Sequence, residues 1–218
     1  MENQIIQYLL MFEFILFLVT VIMHLTKSNS ALVFSYMCQS IAASLILFLT
    51  SLFEKNSVFI VGAMITFALK AVVAPLFFYR LIRTHALRFS GTTHLNLSLS
   101  MLVILILIGL SETPIFEPLK LLLPRADRFL LISLSTIFIS AFLIVNRRGA
   151  FSQIIGILSL ENAIVTFGSL IGMNHSFGLE LGVAFDLFAW IVITFIMITL
   201  TYRNFGNFDV GEFKSLKE

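Results

Sequence analysis

Long apolar segments restrict what this chain can fold into more than any other feature of its sequence. A helix that crosses a bilayer needs about 20 mostly apolar residues. Only 12% of the residues are charged, against about 25% in soluble domains. The sequence therefore predicts an integral membrane protein with seven spanning segments: Ile5–Leu25, Ala31–Phe53, Val58–Leu81, Leu95–Leu110, Phe129–Val145, Ser152–Ile171 and Phe177–Leu200.

The segments are predicted to be α-helices, because backbone polar groups in hydrocarbon must find partners within the same element. Their length and the lack of alternating polarity exclude a β-barrel. The predicted fold is all-α, a polytopic membrane protein of about seven transmembrane helices. The connections divide it into a four-helix membrane region over 1–125, a three-helix region over 126–203 and a cytoplasmic tail over 204–218.

Basic residues near the ends of the spans predict the orientation, since cytoplasmic loops carry an excess of lysine and arginine. With the N-terminus outside and the C-terminus in the cytoplasm, nine basic residues fall on the cytoplasmic side: Lys27, Arg80, Arg83, Arg88, Arg147, Arg148, Arg203, Lys214 and Lys217. Four fall on the outer side: Lys55, Lys120, Arg125 and Arg128. This excess favours an outer N-terminus, although the connection before the fifth span runs against it.

Lys70 lies close to the middle of the third predicted span. Small residues at helical spacing suit close packing of its face against another helix: Ala63, Thr66 and Ala74. Pro75 cannot donate to the carbonyl of Ala71, so a kink with a free carbonyl is expected there. Ionisable groups in a membrane are functional candidates; the alternative is that Lys70 pairs with a carboxylate for assembly only.

Glu161 lies near the middle of the sixth predicted span, within the apolar stretch Gln153–Gly168. The opposite face of that helix carries residues spaced for helix contact: Gly156, Ser159, Ala163 and Thr166. We therefore expect other helices, of this chain or of other chains, to enclose it. Glu161 is a candidate proton site, or alternatively a structural partner for Lys70 or Asn162.

Three further acids fall in or near the spans. Asp186 follows the close-approach motif Gly178-x-x-x-Gly182 and is the third proton-path candidate. Glu180 is expected near the outer surface as an interface residue. Glu13 is a secondary candidate like Glu180, and a sliding first helix would bring it toward the outer surface.

A lysine between carboxylates near mid-depth would form a proton relay. Burial penalises each charge and pairing offsets the penalty, so making or breaking a pair couples conformation to proton movement. The hypothesis fails if Lys70, Glu161 and Asp186 face lipid or lie on separate sides of the bundle. Gln39 and Ser40 of the second span are expected to hydrogen-bond across helices as packing contacts.

Motifs of catalysis and cofactor binding are missing from the sequence. It has no phosphate-binding glycine loop, no HExxH and no His/Cys cluster with metal spacing. One cysteine, Cys38, cannot hold an iron–sulfur cluster. The basic residues are spread over short loops, so no nucleic-acid partner is expected. We predict no catalytic residue, metal or cofactor here, and surface or interface positions for four histidines: His24, His85, His94 and His175.

Two blocks of the sequence resemble the membrane component E of hydrogenase-4, which belongs to group 4 [NiFe]-hydrogenase complexes such as formate hydrogenlyase. The C-terminal block, Gln153–Lys217, contains the run from Gln153 to Asn162, the run from Leu179 to Asp186, and the tail. The second block, Thr66–Arg83, contains Lys70-Ala-Val-Val-Ala-Pro75 and Tyr79-Arg-Leu-Ile-Arg83. Elsewhere the similarity is one of hydropathy only.

The resemblance implies a non-catalytic subunit of the inner membrane that links a soluble hydrogenase redox module to antiporter-like membrane subunits. The three-helix region is similar to the small three-helix K subunit of respiratory complex I and to its counterpart in multisubunit cation/proton antiporters. The K subunit has two membrane glutamates implicated in proton transfer. Glu161 matches the first, and Asp186, an aspartate, stands where the second is expected, with Glu180 competing for that role. The alternatives are a purely structural membrane anchor, or a subunit of a cation/proton antiporter or related ion-translocating complex.

Overall fold

The computed structural model describes residues 2–54, 57–84, 93–120 and 127–170, together with residues 191, 195, 198 and 199. This part of the chain is almost entirely helical. Its main elements are α1 (Glu2–Leu25), α2 (Asn29–Glu54), α3 (Ser57–Thr66), a π-helical segment (Phe67–Val73), α4 (Ala74–Thr84), α5 (Leu97–Ser111), α6 (Glu117–Lys120), α7 (Asp127–Asn146) and α8 (Ala150–Leu170). A 3₁₀ turn, Pro114–Phe116, precedes α6.

Four stretches of helix are long and apolar enough to cross a membrane: Gln4–Leu25, Asn29–Leu52, Ile60–Thr84 and Ala150–Ser169. They confirm the first, second, third and sixth predicted spans as helices of spanning length. The helices at the fourth and fifth predicted spans have shorter apolar stretches, Leu97–Ser111 and Leu131–Asn146. The seventh predicted span lies outside the described residues except for four isolated positions.

Helix α2 is central to the packing. It contacts α1 on one side, α8 on another, and α3, the π-helical segment and α4 along the rest of its length. Helix α7 completes the arrangement by packing against α1, α5 and α8. In their most apolar stretches 61% of α2 and 56% of α8 is buried, against 22% of α1. Helices α2 and α8 therefore lie deeper in the described bundle than α1.

The face of α8 opposite Glu161 packs closely, as its small residues predict. Ser159, Ala163 and Thr166 are fully buried. A Cβ added to Gly156 would lie 3.0 Å from Ile144 Cγ1 and 3.2 Å from the Ile144 backbone nitrogen. Glycine thus lets α8 approach α7 more closely than a larger side chain would without a shift of Ile144.

Arg147, in the turn between α7 and α8, ties that turn to the end of α1. Its side chain is 1% exposed, and Nη2 donates to the carbonyls of Met23 and Thr26, the latter at 2.9 Å. These carbonyls belong to the last turn of α1 and its extension, where a cation is favourable. Burial lowers the pKa of Arg147 to about 10. The sequence predicted only a loop charge that sets orientation, so this capping role is a result of the fold.

Candidate functional site

Lys70 and Glu161 form an ion pair in the interior of the bundle. Lys70 Nζ lies 2.9 Å from Glu161 Oε1, and the two side chains are 3% and 17% exposed. Lys70 comes ten residues after Ile60, where its span begins, and Glu161 eleven residues after Ala150. At 1.5 Å per residue both lie roughly 15 Å from those ends. The predicted proximity of these two residues, 91 positions apart, is confirmed.

The backbone around Lys70 is π-helical from Phe67 to Val73. The sequence predicted a kink at Pro75 with a free carbonyl at Ala71. In the structure the helix instead widens to π-helical turns just before the proline. The N–H of Ala74 bonds to the carbonyl of Leu69, five residues back. Single π-helical turns inside α-helices occur frequently at functional sites. The wider turn changes the direction in which Lys70 leaves its helix.

Gln39 of α2 is the centre of a buried hydrogen-bond network. Its Nε2 donates to Thr20 Oγ1 of α1 at 2.9 Å and to Ser159 Oγ of α8 at 2.8 Å. Ser159 Oγ lies 3.1 Å from Ser140 Oγ of α7. All four side chains are fully buried. One amide thus joins four helices, and the packing role expected of Gln39 is confirmed.

One turn further along, Asn162 Nδ2 donates to Ser40 Oγ at 3.0 Å, and both residues are fully buried. Ser40 therefore also has the packing role expected of it. Gln39 Oε1 and Asn162 Oδ1 are buried without a hydrogen-bond partner in the described structure. Buried acceptors of this kind are the usual partners of internal water. The interface between α2 and α8 is therefore polar.

The geometry of the pair suits proton exchange. Transfer of one proton from the Lys70 ammonium to the Glu161 carboxylate converts two buried charges into a neutral amine and a neutral acid, with no change in net charge. The carboxylate is the more open partner, since the Glu161 side chain is 17% exposed and that of Lys70 3%.

The other sequence-predicted acids have different outcomes. Asp186 and Glu180 lie outside the described residues, so their place in a relay stays a prediction. Glu13 is fully buried within the described bundle, and its depth relative to the outer surface stays a prediction. Its helix packs against α2 and α7.

The histidines separate into two groups. Of the surface or interface positions expected of the histidines, His24 has an interface position between α1 and α7: it is 5% exposed, its Nε2 lies 3.1 Å from the carbonyl of Ile139, and its ring stacks on Phe142. His94 is exposed and accepts from Arg148 Nε at 3.3 Å. His85 and His175 are outside the described residues. Within the described ranges no group of three His, Cys, Asp or Glu side chains could hold a metal ion.

The chain matches no protein-family model, no curated protein and no solved structure.

Proposed function

We propose that this chain is a membrane subunit that carries part of a proton path, with the Lys70–Glu161 pair as its proton-exchanging site. The observation that supports this is the ion pair at 2.9 Å within two helices of spanning length. Charged groups at this depth are expensive, and membrane proteins place them where ions or protons move. The π-helical turn at Lys70 adds to the case, since it gives that helix a point of local adjustment.

The proposed assembly is a complex I-like, membrane-bound hydrogenase complex of the cell inner membrane, with antiporter-like subunits and a soluble redox module as partners. The similarity of Thr66–Arg83 and Gln153–Lys217 to hydrogenase-4 component E supports this choice, and both members of the ion pair lie in those blocks. In this assembly the chain would have seven spans, an outer N-terminus and Asp186 as a second acid of the proton path. Redox catalysis belongs to the partner subunits.

A second candidate function is that of a structural anchor. The hydrogen-bond network of Gln39 favours it, because this network joins α1, α2, α7 and α8 through fully buried side chains. In that case the ion pair would hold the π-helical segment against α8 and no proton would move.

Neutral substitutions in the assembled complex distinguish the two. Glu161→Gln and Lys70→Met are introduced singly, complex assembly is measured in mild detergent, and proton uptake or release is followed in membrane vesicles. Glu112→Gln and Arg83→Met, at exposed positions, are the matched controls. A proton path predicts an assembled complex with redox turnover at or below the normal rate and greatly reduced proton transport. Loss of the complex from the membrane supports the anchor, and normal proton transport by both variants refutes the proton path.

A further inference from the structure

Glu13 occupies a position that the proposed function does not use. It lies on α1 and its side chain is fully buried. Leu9 and Leu16, one turn to either side on the same helix face, belong to an apolar cluster with Ile46 of α2 and Phe129 of α7. The carboxyl group is therefore held inside an apolar contact between three helices.

No cation compensates a charge on Glu13 in the described structure. Both of its carboxyl oxygens are buried there without a hydrogen-bond partner of good geometry, and the hydroxyl that faces them is that of Ser133 on α7. Ser133 already donates to the carbonyl of Phe129 at 2.7 Å. A carboxylate with neither a cation nor donors is strongly disfavoured in an apolar interior, and such a group takes up a proton instead.

Among the side chains that the structure describes, the helices that pack on α1 bring no compensating charge to Glu13. Helix α5 contains no charged residue, and α8 contains only Glu161, which is paired with Lys70. Acidic or basic residues of α2 and α7 occur only at helix ends: Glu54, Asp127 and Arg128. The titratable groups along α2 itself are Tyr36 and Cys38, which are ordinarily neutral. In the described ranges no ion pair reaches Glu13.

We infer that Glu13 is a second proton-binding site, between α1 and α7, which holds a proton in the packed bundle and is separate from the Lys70–Glu161 pair. Release of this proton leaves a bare carboxylate in the cluster, so release requires that α1 and α7 separate or that a donor enters. The proton on Glu13 is thereby coupled to the contact between these two helices. The inference does not depend on a proton path through Lys70.

Infrared spectroscopy of the full chain in lipid vesicles at neutral pH tests the inference, because a protonated carboxyl group has its own carbonyl band. We expect Glu13→Gln to remove the band of one carboxylic acid. Glu161→Gln, the matched control, removes none, since Glu161 is paired with a lysine. Glu13→Asp keeps an acid and shifts the band, which preserves the assignment if the glutamine variant folds poorly.

The outcomes are exclusive. Loss of the band in Glu13→Gln, or its shift in Glu13→Asp, establishes a protonated Glu13. A spectrum that neither substitution changes means that Glu13 is ionised at neutral pH and overturns the inference. Thermal unfolding gives an independent reading: the glutamine variant is expected to unfold at the wild-type temperature or above, because it replaces one neutral polar group with another. A large fall in that temperature, with the band unchanged, would mean that a charged Glu13 stabilises the bundle.

Discussion

Removing one member of the Lys70–Glu161 pair is expected to destabilise the protein in a way that depends on pH and identifies the group left behind. At 2.9 Å, and with an effective dielectric constant of about 20, the attraction between the charges is about 6 kcal/mol. Burial of both groups offsets much of it. Breaking a buried pair by removing one partner nevertheless costs about 3–5 kcal/mol, because the other charge is left uncompensated.

The stability lost in each single variant cannot exceed the free energy needed to neutralise the charged group that remains, because that group can gain or lose a proton instead of staying charged. Protonating an ordinary glutamate at pH 7 costs about 4 kcal/mol, and deprotonating an ordinary lysine about 5 kcal/mol. Lys70→Met leaves an unpaired glutamate, so its loss of stability relative to wild type should shrink by up to about 1.4 kcal/mol for each unit that the pH is lowered. Glu161→Gln leaves a lysine, so its defect should shrink as the pH is raised. The double variant leaves no charge at the site, and its free energy of unfolding should lie within about 1 kcal/mol of the wild-type value at both low and high pH.

The assay is the free energy of unfolding in mild detergent, measured at about pH 5, 7 and 9 for wild type, the two single variants and the double variant. Arg83→Met and Glu112→Gln, at exposed positions, should change it by less than about 0.5 kcal/mol. If the stability losses of the two single variants did not change with pH in opposite directions, the two side chains would not be a buried ion pair. A double variant as unstable as the sum of the single ones would also refute the pairing, since the two residues would then act independently.

Three further substitutions test the packing that positions the pair, all by thermal unfolding in detergent. Gly156→Ala should destabilise the protein by about 1–3 kcal/mol through overpacking against α7. The control Gly109→Ala has open space around it and should be neutral or stabilising by up to about 1 kcal/mol. Equal changes in stability in the two variants would contradict the close approach of α8 to α7. Gln39→Leu should lose about 2–3 kcal/mol, because it deletes hydrogen bonds to two buried hydroxyls, and a neutral result would show that the network carries no stability. Arg147→Met should reduce the stability by about 2–4 kcal/mol, because it removes charged hydrogen bonds to α1. The control Arg148→Met changes a less buried arginine and should reduce the stability by under about 1 kcal/mol. Equal losses in the two variants would mean that net charge, and not capping of α1, is responsible.

Residues whose roles depend on one helix alone were predictable. Lys70 and Glu161 stood out because each interrupts an apolar helix near its middle, and the small face of α8 followed from its spacing. Pro75 signalled a disturbed helix, but the sequence could not distinguish a kink from the π-helical turn that the structure contains. The choice depends on how the preceding residues pack against α2.

Residues whose roles depend on a neighbouring helix were not predictable. His24 and Arg147 lie at or beyond the ends of the predicted spans, where sequence position alone suggests access to water, yet both are buried against α7 or the end of α1. The apolar patterns of the helices give little directional signal, because lipid and protein interior are equally apolar and both faces of a spanning helix are hydrophobic. Periodicity therefore does not predict which face a neighbouring helix covers.

The sequence by itself determined that the chain is helical, apolar enough for a membrane, and charged at mid-span. Those properties follow from hydrogen bonding and transfer energies, which are local. Only the tertiary structure decided that Lys70 has Glu161 as its partner while Glu13 meets no cation among the described residues. That choice depends on the relative rotation and depth of four packed helices, to which residues far apart in the sequence contribute together.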